Sequence, residues 1–192
     1  MKRFILASAS PRRKEILENA GFDFEIIVSD VDENITEDLS PSETVEELAK
    51  RKALAVWEEN KDAVVFGCDT VVAVDDKILG KPRDDGEAFA MIKMLSGKAH
   101  TVSTGVCICS EDKISVFSNT TNVEFYPLSD ETIRSYVATG ESRDKAGAYG
   151  IQGYGSVLIK EIKGDYFSVM GLPVSESSRV LADFGIFGKV RV

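Results

Sequence analysis

One run of six residues, Ala63-Val64-Val65-Phe66-Gly67-Cys68, carries no polar side chain on either face and passes straight into Asp69-Thr70. A strand with water on one side alternates apolar and polar residues, so an uninterrupted apolar run calls for cover on both faces. The segments before it can provide that cover. Phe4 to Ala7 is a second short apolar run, leading into Ser10, a good N-cap, and Pro11, which suits the first helical position. Lys14 to Ala20 then reads as helix, with Gly21 as its stop, and Phe24 to Val28 as strand. Ser40-Pro41-Ser42-Glu43 forms a capping box that opens a long helix through about Glu59, with Val45, Leu48, Ala49, Leu54 and Ala55 at helical spacing. Apolar strands alternating with capped helices predict an α/β fold.

The second half continues with different elements. Val71 to Val74 reads as strand up to an Asp75-Asp76 turn, and Glu87 to Leu95 as helix. Thr101 to Cys109 and Lys113 to Phe125 form a predicted hairpin around Glu111-Asp112. Ser129 to Ala138 reads as helix, Gly147 to Gly155 as a glycine-rich loop, Val157 to Ile162 as strand and Pro173 to Phe184 as helix. With no repeat and no Pro/Gly-rich linker, the 192 residues are expected to form one domain over 1–187 and a tail at 188–192.

A formal net charge of −9 argues against broad nucleic-acid binding, which needs a basic face. Cations are instead local: Arg12-Arg13, Lys50-Arg51-Lys52, and Lys81 beside Pro82. No apolar segment has the length that crosses a bilayer. Cys68, Cys107 and Cys109 are odd in number and read as buried thiols, since no zinc-type cysteine spacing occurs. The expected location is the cytoplasm, with neither a membrane nor a nucleic acid as partner.

Candidate chemistry concentrates in a few places. In Ser8-Ala9-Ser10-Pro11-Arg12-Arg13, two arginines occupy the first turn of a helix, where the dipole disfavours cations. Backbone N–H groups, the Ser8 and Ser10 hydroxyls and two guanidinium groups together suit a phosphate. Asp69, at the end of the buried run, lies where α/β sheets present ligands. Glu33, in an acidic stretch with Asp30, Asp32, Glu37 and Asp38, could join it in holding a hard cation. Lys52 on the long helix and Lys81 in Gly80-Lys81-Pro82 could add point charges. Gln152, within the glycine-rich loop, offers both a donor and an acceptor. His100, the one histidine, opens a strand and reads as a structural residue.

In order along the chain, Ser8-Ala9-Ser10-Pro11-Arg12-Arg13, Gly67-Cys68-Asp69-Thr70-Val71, Gly80-Lys81-Pro82, Ser96-Gly97-Lys98-Ala99-His100, Lys145 to Gly153, and Gly164-Asp165-Tyr166 through Pro173 resemble the Maf family of nucleoside triphosphate pyrophosphatases. The resemblance implies an α/β fold related to the inosine-triphosphate pyrophosphatases, with a long mixed central sheet flanked by helices and two lobes around a cleft. It implies hydrolysis of a nucleoside triphosphate to the monophosphate and pyrophosphate, dependent on Mg2+ or Mn2+. Asp69 matches the family's proton acceptor, while Arg12, Thr70 and Gln152 match the positions that separate its substrate classes. That combination is similar to the dTTP/UTP subfamily, with modified pyrimidine nucleotides as a further possibility. Glu33 and Asp69 are the expected metal ligands, and Ser8, Ser10, Arg13, Lys52 and Lys81 the expected phosphate contacts. A homodimer is expected from the family. The competing reading is a nucleotide-binding regulatory protein linked to septum formation, without turnover.

Overall fold

The computed structural model describes residues 2–35, 38–75 and 77–192. Glu37 of the acidic stretch and Asp76 of the predicted turn lie outside the described residues. The order of strands is β1 (Arg3–Leu6), β2 (Glu25–Ile26), β3 (Ala63–Val74), β4 (Lys77–Leu79), β5 (Ala99–Cys109), β6 (Ile114–Phe125) and β7 (Ile159–Lys163). Among the described residues six α-helices accompany them: α1 (Pro11–Asn19), α2 (Pro41–Glu58), α3 (Asp85–Leu95), α4 (Asp130–Ala138), α5 (Tyr166–Met170) and α6 (Val174–Asp183). The strands form one mixed sheet in the order β2-β1-β3-β5-β6-β7, with β4 paired to β3. The pattern's α/β class is met, and the mixed central sheet flanked by helices is the one the family resemblance implies.

β1 runs parallel to β3, with Ile5 opposite Val65 and Leu6 opposite Phe66. Ala63 to Asp69 is buried without interruption, as the apolar run requires. β3 does not stop at Asp69, however. It continues through Thr70 to Val74 as a single strand, so the expected strand end is a strand interior. What ends near Asp69 is the neighbour: β1 finishes at Leu6, and Ala7 makes the last bond, to the Phe66 carbonyl. β2 is shorter than predicted, with both residues exposed. An edge strand with one partner has little to extend it. The strand expected from Val157 begins instead at Ile159, because a 3-10 turn occupies Gly153–Leu158. α5 has only five residues, too few to show a helical period in the sequence.

Chain contacts divide the fold into two compact units. The first comprises residues 1–69, 104–119 and 171–192, and the second 70–103 and 120–170. In the first unit α2 lies unusually close to the sheet. A Cβ at Gly67 would collide with the Ala49 carbonyl, and one at Gly105 with the backbone of Val45 and Glu46. Two strand glycines thus let the α2 backbone rest directly on the strands. Around that contact Ala49, Ala53, Val56, Val65, Cys107 and Cys109 form a core of small side chains. In the second unit Val72, Ile92, Val123, Phe125, Ile133 and Leu158 form a separate core. All three cysteines are free and buried, as expected.

Candidate active site

Gly67 brings α2 down onto β3, and the side-chain alternation of a strand puts Asp69 on the same face as Gly67. Lys52, on α2, therefore reaches it. Its Nζ donates to Asp69 Oδ1 at 2.6 Å and pairs with Glu33 Oε1 at 2.7 Å. The Lys52 and Asp69 side chains are each only 13% exposed, against 60% for Glu33. Burial by itself would lower the Lys52 pKa, but the charges and hydrogen bonds of Asp69 and Glu33 outweigh it and the net shift is upward. Two carboxylates thus converge on one ammonium. Lys52, expected as a cation for phosphate, is held by the two groups expected to bind metal. The segment carrying Glu33 is tied to α2 as well, since Arg51 Nη1 donates to the Asn34 carbonyl at 3.1 Å.

A second cluster forms where β1 turns into α1. Ser10 caps the helix, its Oγ accepting from the Arg13 N–H. Arg13 does not point idly from the helix start: Nε donates to the Gly171 carbonyl at 2.8 Å and Nη1 to Ser8 Oγ at 3.1 Å. The Cys68 thiol donates to the same Gly171 carbonyl at 3.1 Å. Burial pushes that thiol up to about 11, so it stays a neutral donor. One carbonyl, at a glycine with φ +111°, thereby orients an arginine and the residue preceding Asp69. Ser8 is buried, while Ser10 and Arg12 are half-buried. The dipole conflict of the paired arginines is resolved for Arg13 by these fixed acceptors. Gly171 and Cys68 both lie in motifs read from the sequence, but their meeting with Arg13 does not emerge from it, because that contact joins residues 158 positions apart.

The second unit holds Thr70, Lys81 and Gln152. Thr70 and Gln152 are half-buried and Lys81 is exposed. The Gly147 N–H donates to the Gly80 carbonyl at 3.0 Å, which ties the turn carrying Lys81 to the loop carrying Gln152. Gly147 has φ +65°, and a Cβ there would press into Val72. The loop is anchored again at Tyr149, whose hydroxyl lies 2.7 Å from His100 Nε2. His100, Phe125 and Tyr149 stack edge to face, with centroids 4.7–5.4 Å apart. Burial pushes the His100 pKa down to about 4, against a smaller opposite effect of the Lys98 backbone. The imidazole is neutral and structural, as its strand position suggests.

Among the described residues no group of three or more His, Cys, Asp or Glu side chains gathers as a metal cage. A pair of carboxylates is what Mg2+ typically takes from protein, with waters and phosphate oxygens completing its shell. Asp69 and Glu33 fit that donor set by chemistry. The oxygen-only pair suits a hard ion and not a soft one.

Comparison with known proteins follows the same line. A family profile described as Maf-like protein matches residues 3–184. A protein of Bacillus cereus named dTTP/UTP pyrophosphatase is 52% identical over 186 residues, covering 97% of this chain and 92% of that one. Proteins of the same name from Bacillus anthracis and Bacillus thuringiensis are each 53% identical over 186 residues, covering 97% of both chains. Among solved structures, the Ham1 protein of Staphylococcus aureus superposes with a TM-score of 0.51 at 17% identity, covering 82% of this chain and 80% of that one. At that identity the likeness is one of fold.

Proposed function

The chain belongs to the Maf-like family, and from that premise we propose that it is an enzyme hydrolysing dTTP and UTP to the monophosphate and pyrophosphate. The observation that carries the proposal is the Glu33–Lys52–Asp69 array, because a protein that only binds nucleotide has no need of a carboxylate held beside an ammonium in a half-dry site. Relatives at 52–53% identity bear the name of that activity, which supports it.

In the proposed reaction a water oxygen forms a bond to the α-phosphorus, the bridging α–β P–O bond breaks, and Asp69 takes the proton from the water. Lys52 fixes the carboxylate so that the proton is received in one geometry. Arg13 and Lys81 neutralise the pyrophosphate that leaves, with Ser8 and Ser10 donating hydrogen bonds to its oxygens. Arg12, Thr70 and Gln152 select the base. A divalent cation, Mg2+ or Mn2+, held by Asp69 and Glu33, would supply further charge neutralisation at the phosphates. Modified pyrimidine triphosphates belong to the same substrate class. The proposal extends to a homodimer, checked by light scattering, and to a cytoplasmic location. None of the described helices is long and apolar enough to cross a membrane.

The decisive assay incubates purified protein with dTTP, UTP, GTP and ATP and measures pyrophosphate and orthophosphate. Pyrophosphate from the pyrimidine nucleotides, abolished by excess chelator, is the expected result. Orthophosphate as first product, or a preference for GTP, overturns it.

A further inference from the structure

We infer that Glu141, acting with Tyr136, is the positioning residue that holds the arc 150–155 and so sets how Gln152 is presented to the base. This rests on the proposed nucleotide specificity and adds to it a residue outside every motif identified in the sequence. Glu141 follows α4, and its carboxylate accepts three donors. Oε1 takes the Tyr136 hydroxyl at 3.1 Å and the Gly155 N–H at 3.0 Å, and Oε2 takes the Tyr154 N–H at 2.9 Å. Tyr136 completes the clamp, because its oxygen accepts the Gly150 N–H at 3.2 Å. Burial, with Glu141 nearby, pushes the Tyr136 phenol well above its ordinary range, so it remains a donor to the carboxylate. An ionised carboxylate is acceptor-only, and three N–H or O–H donors with no competing acceptor match it.

The glycines of the loop carry the same message. A Cβ at Gly153 would collide with Glu141 Oε2, and one at Gly155 with the Gly150 carbonyl while crowding Tyr136 and Glu141. A Cβ at Gly150 would meet the Lys145 side chain, whose Nζ donates to the Glu141 carbonyl at 2.6 Å. Gly153 and Gly150 thus leave room for Glu141 and Lys145, while Gly155 leaves room for the Gly150 carbonyl across the loop, beside Tyr136 and Glu141. A loop this rich in glycine would otherwise sample many conformations. Gln152 lies midway between the amides of Gly150 and Tyr154, which the two side chains hold. An amide that discriminates between bases must have a fixed backbone beneath it, since a misplaced donor costs selectivity before it costs binding.

Two measurements test this, and one uses no nucleotide. In the free protein, hydrogen exchange at the amides of Gly150, Tyr154 and Gly155 should rise about tenfold or more in Glu141→Ala, because each loses its fixed acceptor or that acceptor's support. In steady-state kinetics the dTTP to GTP ratio of kcat/KM should fall about tenfold, chiefly through a higher KM for dTTP, with kcat for dTTP within a few-fold. Glu141→Gln should lie between wild type and Glu141→Ala, since the amide keeps one acceptor oxygen and turns a donor toward a backbone N–H. Tyr136→Phe should raise exchange at Gly150 in particular. If Glu141→Ala does not fold, Glu141→Gln and Tyr136→Phe carry the test. Unchanged exchange at these amides, or an unchanged dTTP to GTP ratio in an active enzyme, overturns the inference. A wild type that hydrolyses no nucleoside triphosphate overturns the proposed function instead, and the exchange result still decides whether Glu141 orders the arc.

Discussion

The charged array of the first unit and the glycine-rich loop of the second reach order by opposite routes. Asp69 and Lys52 stand on regular elements, a buried strand and an 18-residue helix, and their geometry follows from backbone packing at Gly67. Gln152 stands on backbone that forms neither helix nor strand, so side chains must hold the chain itself: Glu141, Tyr136 and His100 do so from outside the loop. A charged group on regular structure takes its position from the packing of that structure, even though its burial carries a desolvation cost. A donor and acceptor on a loop can be reshaped by few substitutions, provided the anchors stay. Chemistry common to all triphosphates suits the first arrangement and choice among bases suits the second.

Four experiments can break or sharpen that contrast. The largest effect is expected from Asp69→Asn, which keeps volume and removes the proton acceptor. Turnover should fall by about 10²–10⁴-fold with the fold and nucleotide binding largely retained, and the melting temperature should drop because Lys52 loses one of its two carboxylate partners. A mutant with most of its activity would take the chemistry away from the strand-and-helix array altogether.

On the loop side, the protonation of His100 offers a direct probe. Its pKa is about 4 when folded, against 6.5 for the unfolded group, so between those values the unfolded chain binds a proton that the folded one refuses. Stability from this residue is complete above about pH 6.5, is lost as pH falls, and levels off below about pH 4, for a total of about 3 kcal/mol. His100→Phe should flatten that part of the profile relative to wild type in urea titrations from pH 4 to 7. Parallel profiles would mean that the imidazole is not buried in its neutral form beside Tyr149 and Phe125.

Gly67→Ala tests the claim that backbone packing positions the charged array. The added methyl meets the Ala49 carbonyl and the Ala53 backbone, neither of which can rotate away. A loss of about 1–3 kcal/mol in stability is expected, with a fall in kcat as Lys52 shifts from Asp69. Unchanged stability and rate together would show that α2 can slide without consequence. The smallest change, about tenfold in the pyrimidine to purine ratio of kcat/KM, is expected from Gln152→Glu, which turns a donor into an acceptor. If the ratio holds while pyrimidines remain preferred, base choice belongs to Arg12 or Thr70.

Local patterns were readable wherever neighbours in sequence are neighbours in space. Ser10 with Pro11, and Ser40 with Glu43, announce their helices, and both caps form as the hydrogen-bonding logic requires. The apolar run from Ala63 identified the central strand. Its continuity did not follow: Asp69 and Thr70 lie inside β3, which runs on to the expected end at Val74, and what stops near Asp69 is the neighbouring β1, whose length the residues around Asp69 do not set. Glycines inside strands and loops were visible too, but the sequence does not say what approaches them. Gly67 and Gly105 turned out to face a helix, Gly153 a glutamate, and Gly155 the backbone of Gly150 across its own loop.

The order of its motifs, its caps and its apolar runs were enough to determine this protein's class of fold and its family. These depend on interactions within a few residues or on patterns repeated along the chain. The tertiary structure alone decided that Lys52 lies between Asp69 and Glu33, that Arg13 and Cys68 share the Gly171 carbonyl, and that Glu141 gathers the amides of Tyr154 and Gly155. Each of those is a meeting of polar groups distant in sequence, and a polar side chain has no periodicity to betray its partner. Only the packing of strands and helices around them brings the donor to its acceptor.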